Sequence, residues 1–121
     1  MGVRPERVAN AIRREVSSII QKDLKDPRIG FTTITKVEIT PDLRSAKIYY
    51  SVLGDEKVKK STEVALGSAR GFIQGLVGNR LKLRFTPEIT FKVDKSLEYH
   101  EKIDKILDKI RREKEDKENR K

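Results

Sequence analysis

The apolar positions of this chain change their spacing along its length, and that change limits the folds open to it. In residues 6–23, Val8, Ile12, Val16, Ile19 and Ile20 form one stripe of an amphipathic helix. Pro5 suits the first turn, where no N–H is required. Lys25-Asp26-Pro27-Arg28 ends the run, because Pro27 disfavours helical geometry at Asp26. Alternation by two then takes over. Thr33, Thr35, Val37 and Ile39 share one phase and Ile34 holds the other, which predicts a strand partly buried on both sides or carrying a bulge. Thr40-Pro41-Asp42-Leu43 marks a turn. Ala46, Ile48, Tyr50 and Val52 alternate with Lys47, Tyr49 and Ser51 as a half-buried strand.

Residues 55–78 return to a helical period. Gly67 and Gly71 interrupt it and predict a kink between two short helices at Ala69-Arg70-Gly71. A third strand is expected through Leu81, Leu83 and Phe85, resuming past Pro87 at Ile89, Phe91 and Val93. The proline marks it as an edge strand or a bulge. A last helix over residues 96–112 carries the stripe Tyr99, Ile103, Ile106, Leu107 and Ile110.

Composition removes whole classes of function. The chain has 121 residues, enough for one domain and a tail. It has no Cys and one His, which rules out a disulfide framework, a thiolate zinc site and a multi-histidine metal site. No run of about 18 apolar residues exists to span a membrane, and the N-terminus lacks the apolar core of a signal peptide. A cytoplasmic protein without cofactor, metal or small-molecule substrate is expected. Leu, Ile, Val and Phe total 34 residues, about 28%, above the level of about 20% below which chains are disordered. The core has to come from residues 1–95. Residues 96–112 read as a helical extension and 113–121 as a disordered charged tail, since Arg111–Lys121 holds no apolar side chain.

The net charge of +9 divides as +3 over residues 1–30, +2 over 31–60, +2 over 61–94 and +2 over 95–121. The folded part is itself basic, which favours a polyanionic partner. Candidate phosphate contacts are Arg7 and Arg14 on the outer side of the first helix, Arg28 in the following loop, and Lys47 opposite in phase to Ile48. Arg70 lies in the kink, where first-turn N–H groups favour an anion. Arg80, Lys82 and Arg84 flank or join the third strand, and Tyr49 is exposed on the sheet for stacking on a base. Each of these also reads as a solubilising residue or a surface ion pair worth under about 1 kcal/mol. His100 with Glu98, Glu101 and Asp104 reads as a charge-laced helix rather than an acid–base cluster. No catalytic residue is assigned.

The element order, helix-strand-strand-helix-kinked helix-strand with an extra helix, is the type II arrangement of the KH fold, an α+β RNA-binding domain. KH domains clamp nucleic acid with a Gly-x-x-Gly turn. Gly75-Leu76-Val77-Gly78 fits that pattern, but only eight residues separate Gly78 from Pro87, too few for the helix that must follow. Gly78 is read instead as the residue just past a helix end. Ala69-Arg70-Gly71 stands where the clamp belongs.

Arg7-Val8-Ala9, Lys25-Asp26-Pro27-Arg28-Ile29-Gly30, Val37-Glu38, Asp42-Leu43, Ala46-Lys47-Ile48-Tyr49 with Ser51 and Leu53, Ala69-Arg70-Gly71, and Arg84 with Pro87-Glu88-Ile89 occur in order along the chain. On these stretches it resembles ribosome-binding factor A from about Arg4 to Val93. The resemblance implies a KH-like domain whose Ala-x-Gly kink replaces the clamp loop. It implies a non-catalytic monomer that binds the free small (30S) ribosomal subunit and its 16S rRNA, assisting late maturation and rRNA processing. Nothing carries over past about Lys95. A general KH-type RNA binder or a permanent ribosomal protein would share these electrostatics. An RNA-modifying or RNA-cleaving enzyme would need a convergent His/Asp/Glu motif that the sequence lacks.

Overall fold

A computed structural model describes residues 4–119, without the side chains of 97–102, 118 and 119. The first helical run is α1 (Pro5–Ser18), continued by a π turn (Ile19–Asp23). Its stripe Val8, Ile12, Val16, Ile19 and Ile20 is buried throughout. The run stops where Leu24 becomes extended (φ −86°, ψ 115°). Strands β1 (Phe31–Ile39) and β2 (Ser45–Leu53) pair antiparallel, with a register shift between Ile34 and Lys36 that is the expected bulge. Strand β3 (Glu88–Val93) lies parallel to β2 on its other side, so the order is β1-β2-β3 and β3 is an edge. Ala46, Ile48 and Tyr50 are buried while Lys47 is exposed, so the helices cover one face of the sheet and leave the other to solvent. Together with α2 (Glu56–Leu81) and α3 (Ser96–Asn119), this makes a mixed α+β fold of three helices and one sheet.

The expected pair of short helices is a single one. Helix α2 is unbroken across Ala69-Arg70-Gly71. Thr62, Ala65, Leu66, Ile73 and Val77 are buried along it at helical spacing, with Ala69 and Leu76 half-buried between them. Burying a side chain such as Leu66 or Ile73 stabilises by about 1.5–3 kcal/mol, more than the ~1 kcal/mol that each mid-helix glycine costs. Phe72 falls off this stripe and is exposed.

The third strand starts later than predicted. Leu81 lies one helical step, i+4, beyond Val77 and ends α2. Lys82 then takes a left-handed conformation (φ 50°), and residues 83–87 form a loop. Gly78 is thus inside α2 rather than past its end. Its lack of a Cβ admits Thr86, whose hydroxyl occupies the space a side chain there would need. Phe85, expected in the strand, is exposed in the loop, and Pro87 is buried just ahead of β3.

Asp94 follows β3 and ties several elements together. Its N–H donates to the Tyr50 carbonyl at 2.7 Å. Its carboxylate accepts from Thr35 Oγ1 at 2.6 Å, at the bulge, and from Ser96 N and Oγ at 2.9 and 2.6 Å, at the start of α3. Ser96 and Thr35 hold this carboxyl below its usual range. Helix α3 runs to Asn119 instead of stopping at 112, so the tail expected to be disordered from 113 is helical that far. Glu, Lys and Arg are good helix formers, and Arg111/Glu115 and Glu113/Lys117 stand at i, i+4 with opposite charge. Ile106, Leu107 and Ile110 are more than half exposed. The side chains of Glu98, Tyr99, His100 and Glu101 lie outside the described residues.

Gly67 and Gly75 face open space, with nothing within 4 Å of an added Cβ. Gly67→Ala and Gly75→Ala should each raise the thermal midpoint by about 4 °C, whereas Gly78→Ala should lower it by pushing Thr86 and its loop away. Three melting curves check this. Because the folded-state pKa of Asp94 is depressed, its contribution is present above its unfolded pKa and is lost as pH falls through the folded value. The drop in stability below about pH 4 should therefore be shallower in Asp94→Asn, as measured by urea unfolding across an acid series.

Candidate nucleic-acid interface

A chain of contacts at the C-terminal end of α2 joins four segments. Arg80 reaches back to the π turn, with Nη2 2.9 Å from Asp23 Oδ2, and to α1, with Nη1 3.5 Å from Glu15 Oε2. Gly78 receives Thr86 of the loop. At the end of that loop, the Glu88 N–H donates to the Arg44 carbonyl at 2.8 Å, in the β1–β2 turn. The turn is fixed by Asp42, whose Oδ1 accepts from Thr40 Oγ1 at 2.6 Å and from the Arg44 N–H at 3.1 Å. The ends of α1 and α2, the 82–87 loop and the β1–β2 turn therefore share one end of the domain.

That end is rich in cations without acidic partners. Lys22, Arg44, Lys82 and Arg84 meet no carboxylate among the described residues. On the outer side of α1, Arg13, Arg14 and Lys22 line an open hollow with Asn10, Ser17 and Gln21. The π turn contributes Gln21 and Lys22 to its rim, and such turns recur at functional sites. On the other flank, Lys47 sits on the open face of β2, three residues and about 10 Å along the strand from Arg44.

The remaining candidates divide by their partners. Arg28 is spent on Asp26: its Nε donates to both carboxylate oxygens at 3.0 and 3.1 Å and its Nη2 to Oδ2 at 2.7 Å. The pair lowers the Asp26 carboxyl and raises the Arg28 guanidinium. It also lies at the opposite end, where the Arg28 carbonyl accepts from Ser61 in the first half of α2. Arg80 is likewise held by Asp23, then Glu15, which raise its pKa. Its task is to join the two helices.

Arg70 is not at a helix start, because α2 is continuous there and has no free first-turn N–H groups. Its Nη1 donates to the Ile89 carbonyl at 3.1 Å, while Gln74 Oε1 accepts from the Ile89 N–H at 3.0 Å. These two side chains satisfy the backbone groups of Ile89 on the outer edge of β3, which would otherwise be free to pair with another chain. Ala69 is half-buried against the core and Gly71 faces open space. Arg7 is exposed on α1, two turns before Arg14.

Tyr49 lies at the centre of the open sheet face, half-buried, between Lys36 on β1 and Lys92 on β3. Lys36 Nζ is 5.7 Å from its ring centroid and 2.7 Å from Glu38 Oε1, and the Tyr49 hydroxyl donates to Glu38 Oε2 at 3.3 Å. Lys36 holds the Glu38 carboxyl low, and Glu38 holds the Lys36 ammonium up. Glu38 also faces Lys47 across the strands. This face is therefore partly neutralised, unlike the α1 flank. Among the described residues no group of three or more His, Asp or Glu side chains is arranged to hold a metal, and no helix is long and apolar enough to cross a membrane.

Arg13, Lys22, Arg44 and Phe85 are not among the candidates the sequence singles out, and the structure places them beside those candidates. The outward phase of the first helix could have added Arg13 and Lys22. Phe85 carries no such signal, because Leu83 and Phe85 alternate like a strand, and Arg44 lies in a turn whose spacing gives no phase.

Residues 4–107 match the family described as ribosome-binding factor A. The ribosome-binding factor A of Clostridium tetani is 51% identical over 118 residues, covering 97% of each chain. A solution structure from Thermotoga maritima, described as a ribosome-binding factor A, is 33% identical with a TM-score of 0.66, covering 75% of this chain and 87% of that one. Thermus thermophilus ribosome-binding factor A, as fitted into the cryo-EM map of a 30S complex, is 20% identical with a TM-score of 0.57, covering 76% and 92%.

Paired and unpaired cations should separate on mutation. Lys82→Ala with Arg84→Ala should weaken RNA binding and reduce the slope of log K against log salt by roughly 0.7–0.9 for each phosphate the pair neutralises. Arg28→Ala should leave both nearly unchanged. A filter-binding salt series on the two variants checks it.

Proposed function

The chain belongs to the ribosome-binding factor A family, and from that premise we propose that it binds the free 30S ribosomal subunit through its 16S rRNA. The observation that carries this reading is that Arg13, Arg14, Lys22, Arg44, Lys82 and Arg84, on one end and flank of the domain, meet no carboxylate among the described residues. Phosphate contacts of this kind position a protein on a folded RNA without reading its sequence. The likeness to the Thermus thermophilus protein, fitted into a 30S complex, supports the same partner. Arg7 extends the basic side along α1, and Lys47 with Tyr49 extends it onto the sheet.

The protein acts by binding, as a cytoplasmic monomer, and catalyses no step of its own. Its contribution is to late maturation of the subunit and processing of the 16S rRNA. Residues 1–95 are the ribosome-binding domain, a type II KH-like body in which Ala69-Arg70-Gly71 stands at the position of the clamp loop. The order α1-β1-β2-α2-β3 supports that reading. With α2 continuous and no clamp loop, the main contact is with a broad, shaped RNA surface rather than a clamped run of single-stranded nucleotides. Helix α3 is an appendage to that domain.

Sedimentation of a cell lysate tests the proposal. The protein should travel with free small subunits and be absent from polysomes. Equal occupancy of polysomes would identify a permanent ribosomal component instead.

A further inference from the structure

Phe85 is 54% exposed, although Pro87 two residues later is buried. Its ring centroid lies 5.3 Å from Arg44 Cζ and 5.6 Å from Arg84 Cζ. Neither guanidinium meets a carboxylate among the described residues. A half-exposed aromatic ring with two guanidiniums beside it leaves both cations without an anion. Their carrier is nonetheless rigid. Lys82 fixes the start of the loop in a left-handed conformation, Thr86 sits in the space left by Gly78, and Pro87 is anchored in the core. The Arg44 carbonyl is bonded to Glu88 N and the Arg44 N–H to Asp42. The ring and both arginines are therefore presented from two braced segments.

We propose that Phe85, Arg44 and Arg84 form a stacking site for one unpaired RNA base, with the two guanidiniums taking the phosphates beside it. The inference rests on the RNA-binding reading above and adds a class of ligand to it. An aromatic face accepts any base, and an arginine plane can itself stack on a base or pair with a phosphate. The contacts between arginine and an exposed ring are weak, so a base displaces them at little cost. Duplex RNA keeps its base faces stacked inside the helix and offers only backbone and minor groove. The site therefore selects a bulge, loop or strand end, while the cations of the α1 flank act on any RNA backbone.

The test uses the full chain and fluorescence anisotropy with labelled r(A)10 and a labelled RNA duplex, each across a salt series. Phe85→Ala should weaken r(A)10 binding at least about fivefold. It should leave the salt slope unchanged, because the ring neutralises no phosphate, and leave duplex binding unchanged. Arg44→Ala with Arg84→Ala should lower both affinity and slope. Phe85→Tyr should bind as the parent does. Phe85→Leu keeps apolar bulk without the ring, so its loss of r(A)10 binding at an unchanged melting midpoint supports the site even where Phe85→Ala fails to fold. Equal binding of r(A)10 by the parent and Phe85→Leu overturns the proposal, as does an equal loss on duplex. A Phe85→Ala variant that keeps r(A)10 but no longer co-sediments with free 30S subunits also overturns it, by assigning the patch to a protein partner. If the parent chain itself does not co-sediment with 30S subunits, the ribosomal reading fails separately, whatever the oligonucleotide comparison gives.

Discussion

Burying Ala46, Ile48 and Tyr50 against the helices fixes which side of the sheet meets water. Strand β2 is central, so both neighbours inherit its choice of face. Ile34 and Ile89 are turned inward with it, and Lys47 and Tyr49 are turned outward. The bulge between Ile34 and Lys36 lets β1 keep Ile34 in the core while Val37 and Ile39 stay partly buried on the same side. Because α1 and α2 are drawn onto that one face, the outer side of α1 and the open face of the sheet point away from each other. The basic residues are thereby distributed over two flanks, joined at the end where α2 stops.

That end depends on short-range fits more than on hydrophobicity. A missing Cβ at Gly78, a left-handed Lys82 and a buried Pro87 turn the chain from helix to edge strand within a few residues. The turn brings the loop to Arg44. It also lets Arg80 bind Asp23 and Glu15, fastening α2 to the end of α1. The same folding sorts the cations. Arg28, Lys36 and Arg80 meet carboxylates, Arg70 meets a backbone carbonyl, and Arg13, Arg14, Lys22, Lys82 and Arg84 meet no carboxylate among the described residues.

Most of the elements were legible because their apolar spacing has one solution. The stripe from Val8 to Ile20 and the alternation from Ala46 to Val52 leave no other period. The region from Gly67 to Pro87 was not legible in the same way. Its glycines argued locally for a break, but burial of Leu66, Ile73 and Val77 outweighs their cost. Leu81, Leu83 and Phe85 alternate like a strand, yet Leu81 is also the next helical step after Val77, and spacing cannot choose between the two. The error carried into the site, since a strand would have turned Phe85 inward. Among candidate residues, charge type and exposure were readable, whereas partners were not. Arg28 and Asp26 are two residues apart, and nothing in that spacing required a bidentate pair. Arg80 and Asp23 are far apart in sequence and meet only through packing.

The sequence by itself determined the family, the half-buried alternation of the second strand, the buried stripe of the first helix and a basic chain without thiols. These follow from residue type and period, which need no partner to be defined. Tertiary structure alone decided that α2 is one helix, that the strand beyond it starts at Glu88, and which cations are left unpaired. It also decided that Phe85 is half exposed beside Arg44 and Arg84. Each of those outcomes is a competition between a local preference and a contact distant in the chain, and only the folded packing holds both terms.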